Sequence, residues 1–313
     1  MNSQPKFTLF KIWIVSILLL LNACSEKENY LTWTSINVCH GIQGDAHLIS
    51  KDNKHILIDV GAYNVANSTI LPYLKEHNIS EIDSIIITHP HFDHYGATMP
   101  ILQSGIKVKH IYLNMPTPEQ MKKEWWGGEY RHLTQIKESA TQYGYTFGPV
   151  KKGDTFTFDK DNYIEVLYAY DGIDTPVGKT DINDMSVVAM IYSNKNAFLL
   201  TGDLNKKLSK YLAENATNLK ASIVKFPHHG TESFAVNAFF DKVEAKVTLV
   251  PAHTPLWESN RSKRAREYVK KHKIATYVSG IDGHITVTSK KDGFSVHTQN
   301  GKKERFLCKI RIE

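Results

Sequence analysis

The chain has 313 residues, of which 42% are hydrophobic and 22% charged, and it carries a formal charge of +6. These proportions belong to an ordinary folded domain and exclude collagen-like, disordered and multi-span membrane chains. No apolar run reaches the ~20 residues that a transmembrane helix needs, and so modest a charge does not by itself call for nucleic acid.

Lys6 and Lys11 precede an apolar run over residues 12–21, broken only by Ser16. That length suits the core of a secretory signal and is too short to span a bilayer. The run ends in Leu21-Asn22-Ala23-Cys24, which resembles the lipobox of bacterial lipoproteins. The resemblance implies removal of 1–23, acylation of Cys24, a tether over 24–31 and a protein held on a membrane in the cell envelope, outside the cytoplasm. A plain signal peptide with an incidental cysteine is the other reading.

Beyond the tether the chain reads as one layered α/β domain over 32–313, because strands and helices interleave and no linker divides them. Short strands are expected at 35–38, 47–50 and 55–59, a helix over 68–77, then strands at 84–88 and 108–113. The stretch 116–145 reads as helical, capped by Thr117 with Pro118 at its first position and broken at Gly127-Gly128. Strands follow at 155–158, 163–169, 186–192 and 197–201, then a helix over 206–214 and a strand over 221–226. A strand at 247–250, a helix over 260–271, a strand at 275–278 and closing strands to 312 complete the pattern. Cys39 and Cys308 fall in strand-like stretches and read as small buried thiols, although export would also permit a disulfide.

The chemistry is concentrated in Thr88-His89-Pro90-His91-Phe92-Asp93-His94-Tyr95-Gly96, directly after the apolar Ile85-Ile86-Ile87. Two imidazoles at i and i+2 on extended chain point to one side, and Pro90 disfavours helix at His89. Asp93 and His94 can face a second position as the chain turns. Four potential ligands in six residues suit divalent metal, zinc first, with manganese or iron as further metals that such donors accept.

This spacing resembles the metallo-β-lactamase superfamily, and the likeness runs over most of the chain. Gln43-Gly44-Asp45-Ala46 and Ile56-Leu57-Ile58-Asp59-Val60-Gly61 look like the family's opening strands, with Asp59 bracing the metal loop. Leu199-Leu200-Thr201-Gly202-Asp203 looks like the strand end whose carboxylate is shared by two metals. Lys225-Phe226-Pro227-His228-His229-Gly230 adds imidazole after another apolar strand, with His229 the implied ligand and His228 its support. The resemblance thus implies a four-layer αββα sandwich and two divalent metal ions on His89, His91, Asp93, His94, Asp203 and His229. It also implies hydrolysis by a metal-activated water that Asp93 orients or deprotonates.

Two branches look nearest: the hydrolase domain of DNA-uptake competence proteins and the phosphorylcholine esterases. The stretch Ala252-His253-Thr254-Pro255-Leu256-Trp257 resembles the esterases more. Asn183 stands where many dinuclear members carry a third histidine, which implies a looser first metal. His253, Trp257, Trp125 and Trp126 are candidates for substrate contact, each also open to an ordinary structural role. His40 and His47 lie near the same sheet end without an assigned part. The helix from Asn260 carries Arg261, Lys263, Arg264, Arg266, Lys270 and Lys271, a solvated face or a surface for an anionic polymer. The favoured reading is a lipid-anchored phosphodiesterase acting on a small-molecule or envelope-polymer substrate. Nucleic acid is the less favoured partner, through a nuclease on extracellular DNA, and a non-catalytic binding module is the third reading.

Overall fold

The structure, a computed structural model, describes residues 29–39, 41–171, 181–231, 235–301 and 303–307. The expected signal peptide, Cys24, His40 and Cys308 lie outside the described residues. Strands β1 (Thr32–Ser35), β2 (Ala46–Lys51), β3 (Lys54–Val60), β4 (Glu81–Ile87), β5 (Lys107–Leu113) and β6 (Thr146–Gly148) build a first sheet. A second holds β7 (Thr155–Asp159), β8 (Asn162–Tyr168), β9 (Val188–Ser193), β10 (Asn196–Leu200), β11 (Ile223–Lys225), β12 (Val247–Val250) and β13 (Ala275–Val278). The chain then returns to the first sheet as β14 (Ile285–Lys290), β15 (Gly293–Thr298) and β16 (Lys303–Leu307), with β14 antiparallel to β1.

Both sheets are wound alike. An antiparallel meander, β1 to β3 in one and β7 to β10 in the other, leads into parallel crossovers, β3 to β6 and β10 to β13. Parallel strands covered on both faces need apolar residues at every position, which is how Ile85-Ile86-Ile87 reads. Ile86 faces the other sheet, with Ile58, Phe198, Leu200 and Leu249, while Ile85 and Ile87 face helices. Those helices, among them Leu71–Glu76, Thr98–Gln103 and Tyr130–Glu138, cover the first sheet. Lys206–Asn215, Asn237–Val243 and Lys263–Lys271 cover the second. Helix, sheet, sheet and helix make four layers, the expected αββα sandwich.

One local expectation is corrected. The first strand ends at Ser35, so Cys39 is not in a strand. Asn37 turns its backbone N–H to the His284 ring and its side-chain oxygen accepts from the Cys39 N–H, which removes both groups from any ladder. The Cys39 thiol is buried and directed at the Gly44 carbonyl, and burial pushes its pKa up. The stretch 116–145 is helical and interrupted near Gly127-Gly128 as expected: Pro118–Lys123, capped by Thr117 with a reciprocal Gln120 bond, then a turn at Trp125–Gly127, then Tyr130–Glu138 and Ala140–Tyr143.

Candidate metal centre

The side chains of interest lie at the carboxyl ends of β3, β4, β10 and β11, where backbone leaves the sheet and side chains can converge. After β4 the chain bends over residues 88–90, where the His91 N–H returns to the His89 carbonyl at 3.0 Å, so the extended chain expected there is a tight turn about Pro90. His91 alone is extended before one helical turn, Phe92–Tyr95. The Pro90 turn brings the His89 and His91 rings together, with His89 Nε2 and His91 Nδ1 3.2 Å apart. The helical turn carries Asp93 and His94 toward Asp203 and His229, with the His94 ring still 4.1 Å from the His89 ring between centroids. From the second sheet, Gly202 adopts φ +51°, and a Cβ there would strike Ser186, so glycine is required for the bend that aims Asp203. His229 follows β11 in a left-handed conformation, φ +54°.

Every imidazole is oriented by a partner on its outer nitrogen. His89 Nδ1 meets Thr88 Oγ1 at 3.1 Å, and Thr88 in turn donates both N–H and O–H to Asp59 at 2.7 Å. His91 Nε2 donates to Glu124 Oε2 at 2.9 Å. His94 Nδ1 donates to Asp59 at 2.8 Å, and His229 Nδ1 donates to the Pro251 carbonyl at 2.9 Å. With the outer nitrogens committed as donors, the inner ones face the cluster and would turn lone pairs to a metal once deprotonated, the arrangement that metal-binding histidines use. His94 Nε2 and His229 Nε2 approach Asp203 Oδ2 at 3.2 and 2.9 Å, yet both are buried without a hydrogen-bond partner. Asp93 Oδ2 lies 3.5 Å from His229 Nε2. Donor atoms of Asp93, His94, Asp203 and His229 lie within 4.8 Å of one another, all buried.

The electrostatics point the same way. Burial would depress the His94 imidazolium, but the Asp203, Asp59 and Asp93 carboxylates together push it well above its ordinary value. His229 resists burial likewise, raised to about 9 chiefly by Asp203. Despite burial, His229, Lys225 and His94 hold Asp203 well below the usual carboxylate range. His89 is driven the other way, to neutrality, by burial and by the His94 and His91 rings. Carboxylates that hold protons on two imidazoles so firmly will hold a divalent cation in their place. The residues present therefore fit a metal: Asp93, His94, Asp203 and His229 around one position, His89 and His91 beside another.

The remaining candidates separate clearly. His228 donates from Nδ1 to Asn205 Oδ1 at 2.6 Å and lines the cleft above the cluster. Asn183 lines it too, donating its amide to Asp181 while its own oxygen is buried without a hydrogen bond. His253 caps the helix Thr254–Glu258 by accepting from the Leu256 N–H. Trp257 is a correction: it is buried in the core behind the second sheet, against Gly230, and is not among the described residues lining the cleft. Trp126 is exposed and lines the cleft, and the Trp125 side chain lies outside the described residues. His47 is buried, accepting from the Trp33 indole. The basic stretch divides: Lys263, Lys270 and Lys271 are exposed, the solvated face expected. Arg264 and Arg266 donate to backbone carbonyls of Ala235 and Ser259, and Arg261 is the residue of that stretch that lines the cleft.

Three participants went unrecognised in the sequence. Glu124, which orients His91 and also accepts from the Ile182 N–H, shows only as an acid before a tryptophan pair. Lys225 closes an apolar strand, and its buried ammonium contacts Asp45, Asp203 and the Gly202 carbonyl. Asp45 was visible in Gly44-Asp45-Ala46, but not its pairing with Lys225.

A model of the metallo-β-lactamase superfamily matches residues 41–280. ComE operon protein 3 of Bacillus subtilis is 23% identical over 288 residues, which are 87% of this chain and 34% of that protein. Endoribonuclease YSH1 of Candida albicans is 23% identical over 155 residues, 49% of this chain and 17% of that protein. The chain thus spans about a third or less of the length of these curated relatives. CmlA, a diiron β-hydroxylase from Streptomyces venezuelae, shares the fold with a TM-score of 0.52 over 84% of this chain and 54% of that one, at 12% identity. The match covers every strand end that contributes to the centre, and the chain belongs to the metallo-β-lactamase superfamily.

Proposed function

We propose that the protein is a metal-dependent phosphodiesterase acting on an envelope or extracellular substrate, held at the membrane through Cys24. The observation that carries the hydrolytic reading is the pair of buried inward nitrogens, His94 Nε2 and His229 Nε2, facing Asp203 without hydrogen bonds. Two divalent ions held by His89, His91, Asp93, His94, Asp203 and His229 would supply Lewis acidity and an acidified water. The chain's own groups do the rest. Asp93, with Oδ2 turned toward His229, is the acceptor for the water's proton, and Asp59 and Glu124 keep two imidazoles from rotating. Lys123, Lys207 and Arg261 line the cleft beside Glu124, Asp181 and the ligand carboxylates, and they are the groups there that can meet an anionic ester. An endoribonuclease among the relatives, by its name a cleaver of phosphodiesters, supports the same bond type.

The test is turnover of bis(p-nitrophenyl) phosphate by chelated and then metal-restored protein. Restoration should return activity, and Asp203→Ala should lose it by about a hundredfold or more. No diester turnover by metal-loaded protein overturns the reading. The anchor rests on Leu21-Asn22-Ala23-Cys24 and has a separate test: Cys24→Ala should leave an uncleaved precursor or a soluble protein, and unchanged detergent partitioning overturns it. The cleft cations keep one second reading, a nuclease on extracellular DNA, which degradation of DNA by the same preparations would reveal.

A further inference from the structure

Four large apolar side chains are exposed among the described residues: Tyr63, Phe92, Trp126 and Ile281. Three of them, Tyr63, Phe92 and Trp126, converge on one cavity of about 530 Å³ whose floor includes Tyr95, Met99 and Ile136. Exposed aromatics scattered singly are ordinary, whereas three around one concavity mark a surface made to be covered. The cavity is large enough for a ring system and has the predominantly apolar character of small-molecule sites.

Its position connects it to the metal centre. Phe92 and Trp126 line both this cavity and the cleft over the cluster, and Phe92 lies between His91 and Asp93 in the chain. The Gly127-Gly128 turn is the partition. A Cβ on Gly127 would fall on the His91 ring and one on Gly128 would meet the Tyr95 hydroxyl, so side chains here would push the turn off both cavities. Gly128 also adopts φ +129°, which an L side chain rarely takes. The Tyr95 hydroxyl is buried beside the Glu129 backbone N–H, at the edge of this turn.

Charge decides the chemistry of the occupant. Glu129 is the carboxylate on the rim, and Arg131 already takes both its oxygens, Nε to Oε2 at 2.6 Å and Nη2 to Oε1 at 3.2 Å. With that carboxylate already paired and the His132 ring beside it, no free anion among the described lining residues draws a cationic head group, and the apolar aromatic walls offer stacking to an uncharged flat ring. We propose that this cavity is the subsite for an uncharged aromatic group carried on the retained side of the ester, next to the phosphoryl group that the metal centre cleaves. The assignment rests on the phosphodiesterase reading.

The experiment compares metal-loaded full-length protein on three p-nitrophenyl diesters with a common leaving group: methyl, phenyl and choline p-nitrophenyl phosphate. The phenyl ester should exceed the methyl ester in kcat/KM by about tenfold or more, the scale of burying one ring. Tyr63→Ala and Trp126→Ala should each bring that ratio toward one, and Ile281→Ala should leave it unchanged. Equal rates for phenyl and methyl esters overturn the subsite, and a preference for the choline ester overturns the uncharged occupant. If no diester is cleaved, the phosphodiesterase reading fails by itself. Calorimetric binding of phenylphosphonate against methylphosphonate to wild type and Tyr63→Ala then decides the subsite, and equal affinities overturn it.

Discussion

Lys225 reaches back from the end of β11 to Asp203, with Nζ 3.0 Å from Oδ1, while the same ammonium stands 2.5 Å from Asp45 Oδ2. All three groups are buried. Asp203 thus has one oxygen occupied by a permanent internal cation and the other, Oδ2, turned to His94 and His229. Burial works against the Lys225 charge, yet Asp45 and Asp203 raise its pKa above the ordinary value, so it is protonated. Lys225→Met leaves two buried carboxylates without their partner, a loss of about 3–5 kcal/mol in chelated protein. Thermal unfolding with and without metal checks this. The variant should gain more from metal than wild type does, and Asp45→Asn in the same chain should restore part of the loss. Wild-type melting in chelator would refute it.

Elemental analysis of purified protein should give about two divalent metal ions per chain. Asp203→Ala should lose most of both, because Oδ2 is the oxygen that faces the imidazoles of both histidine motifs. Full occupancy in the variant would remove Asp203 from the role of shared ligand.

Asn183 offers a neutral amide oxygen at the cleft where an imidazole would hold metal more strongly. Chelator should therefore remove metal in two phases, with activity falling in the fast one, and Asn183→His should slow that phase. Loss in a single phase, unaltered by the substitution, would mean that Asn183 plays no part in metal retention.

Asp184 gives a pH dependence with a definite sign. Burial, with the Asp181 carboxylate beside it, raises Asp184 to about 7, while its Oδ1 accepts from the Asn205 N–H at 2.7 Å. The folded state then binds a proton that the unfolded chain has released, so this stability is complete below the ordinary carboxylate pKa and lost as pH rises through about 7. Between those limits the slope reaches about 1.4 kcal/mol per pH unit at most. Asp184→Asn keeps the Asn205 bond and should flatten denaturation midpoints measured from pH 4 to 8. An unchanged slope would show that Asp184 is ionised throughout.

The sequence revealed what is local. Ligands crowded behind Ile85-Ile86-Ile87, and the bend forced by Gly202 before Asp203, are patterns of adjacent residues, and the layered fold follows from alternating strands and helices. What stayed hidden depends on distant segments meeting. Lys225 finds Asp45 only when the two sheets close, and Glu124 finds His91 only when the 118–128 segment folds over the loop. The end of β1 is set by its register with β14, from the far end of the chain. Tryptophan identity likewise does not tell inside from outside: Trp126 faces the cleft, and Trp257 is covered by the helix layer.

The like winding of the two sheets sets β3 against β10 and β4 against β11. Asp59 and Asp203 end the first pair, and His89 and His229 follow the second. The centre is thus one strand-end plan executed twice, with no trace of duplication in the residues themselves. The halves are also clasped, because β14 to β16 leave the second half and complete the sheet of the first through β1. A break in the 149–154 connection would therefore leave two fragments that still hold each other by backbone pairing, the first carrying four of the six proposed ligands and the second the remaining two.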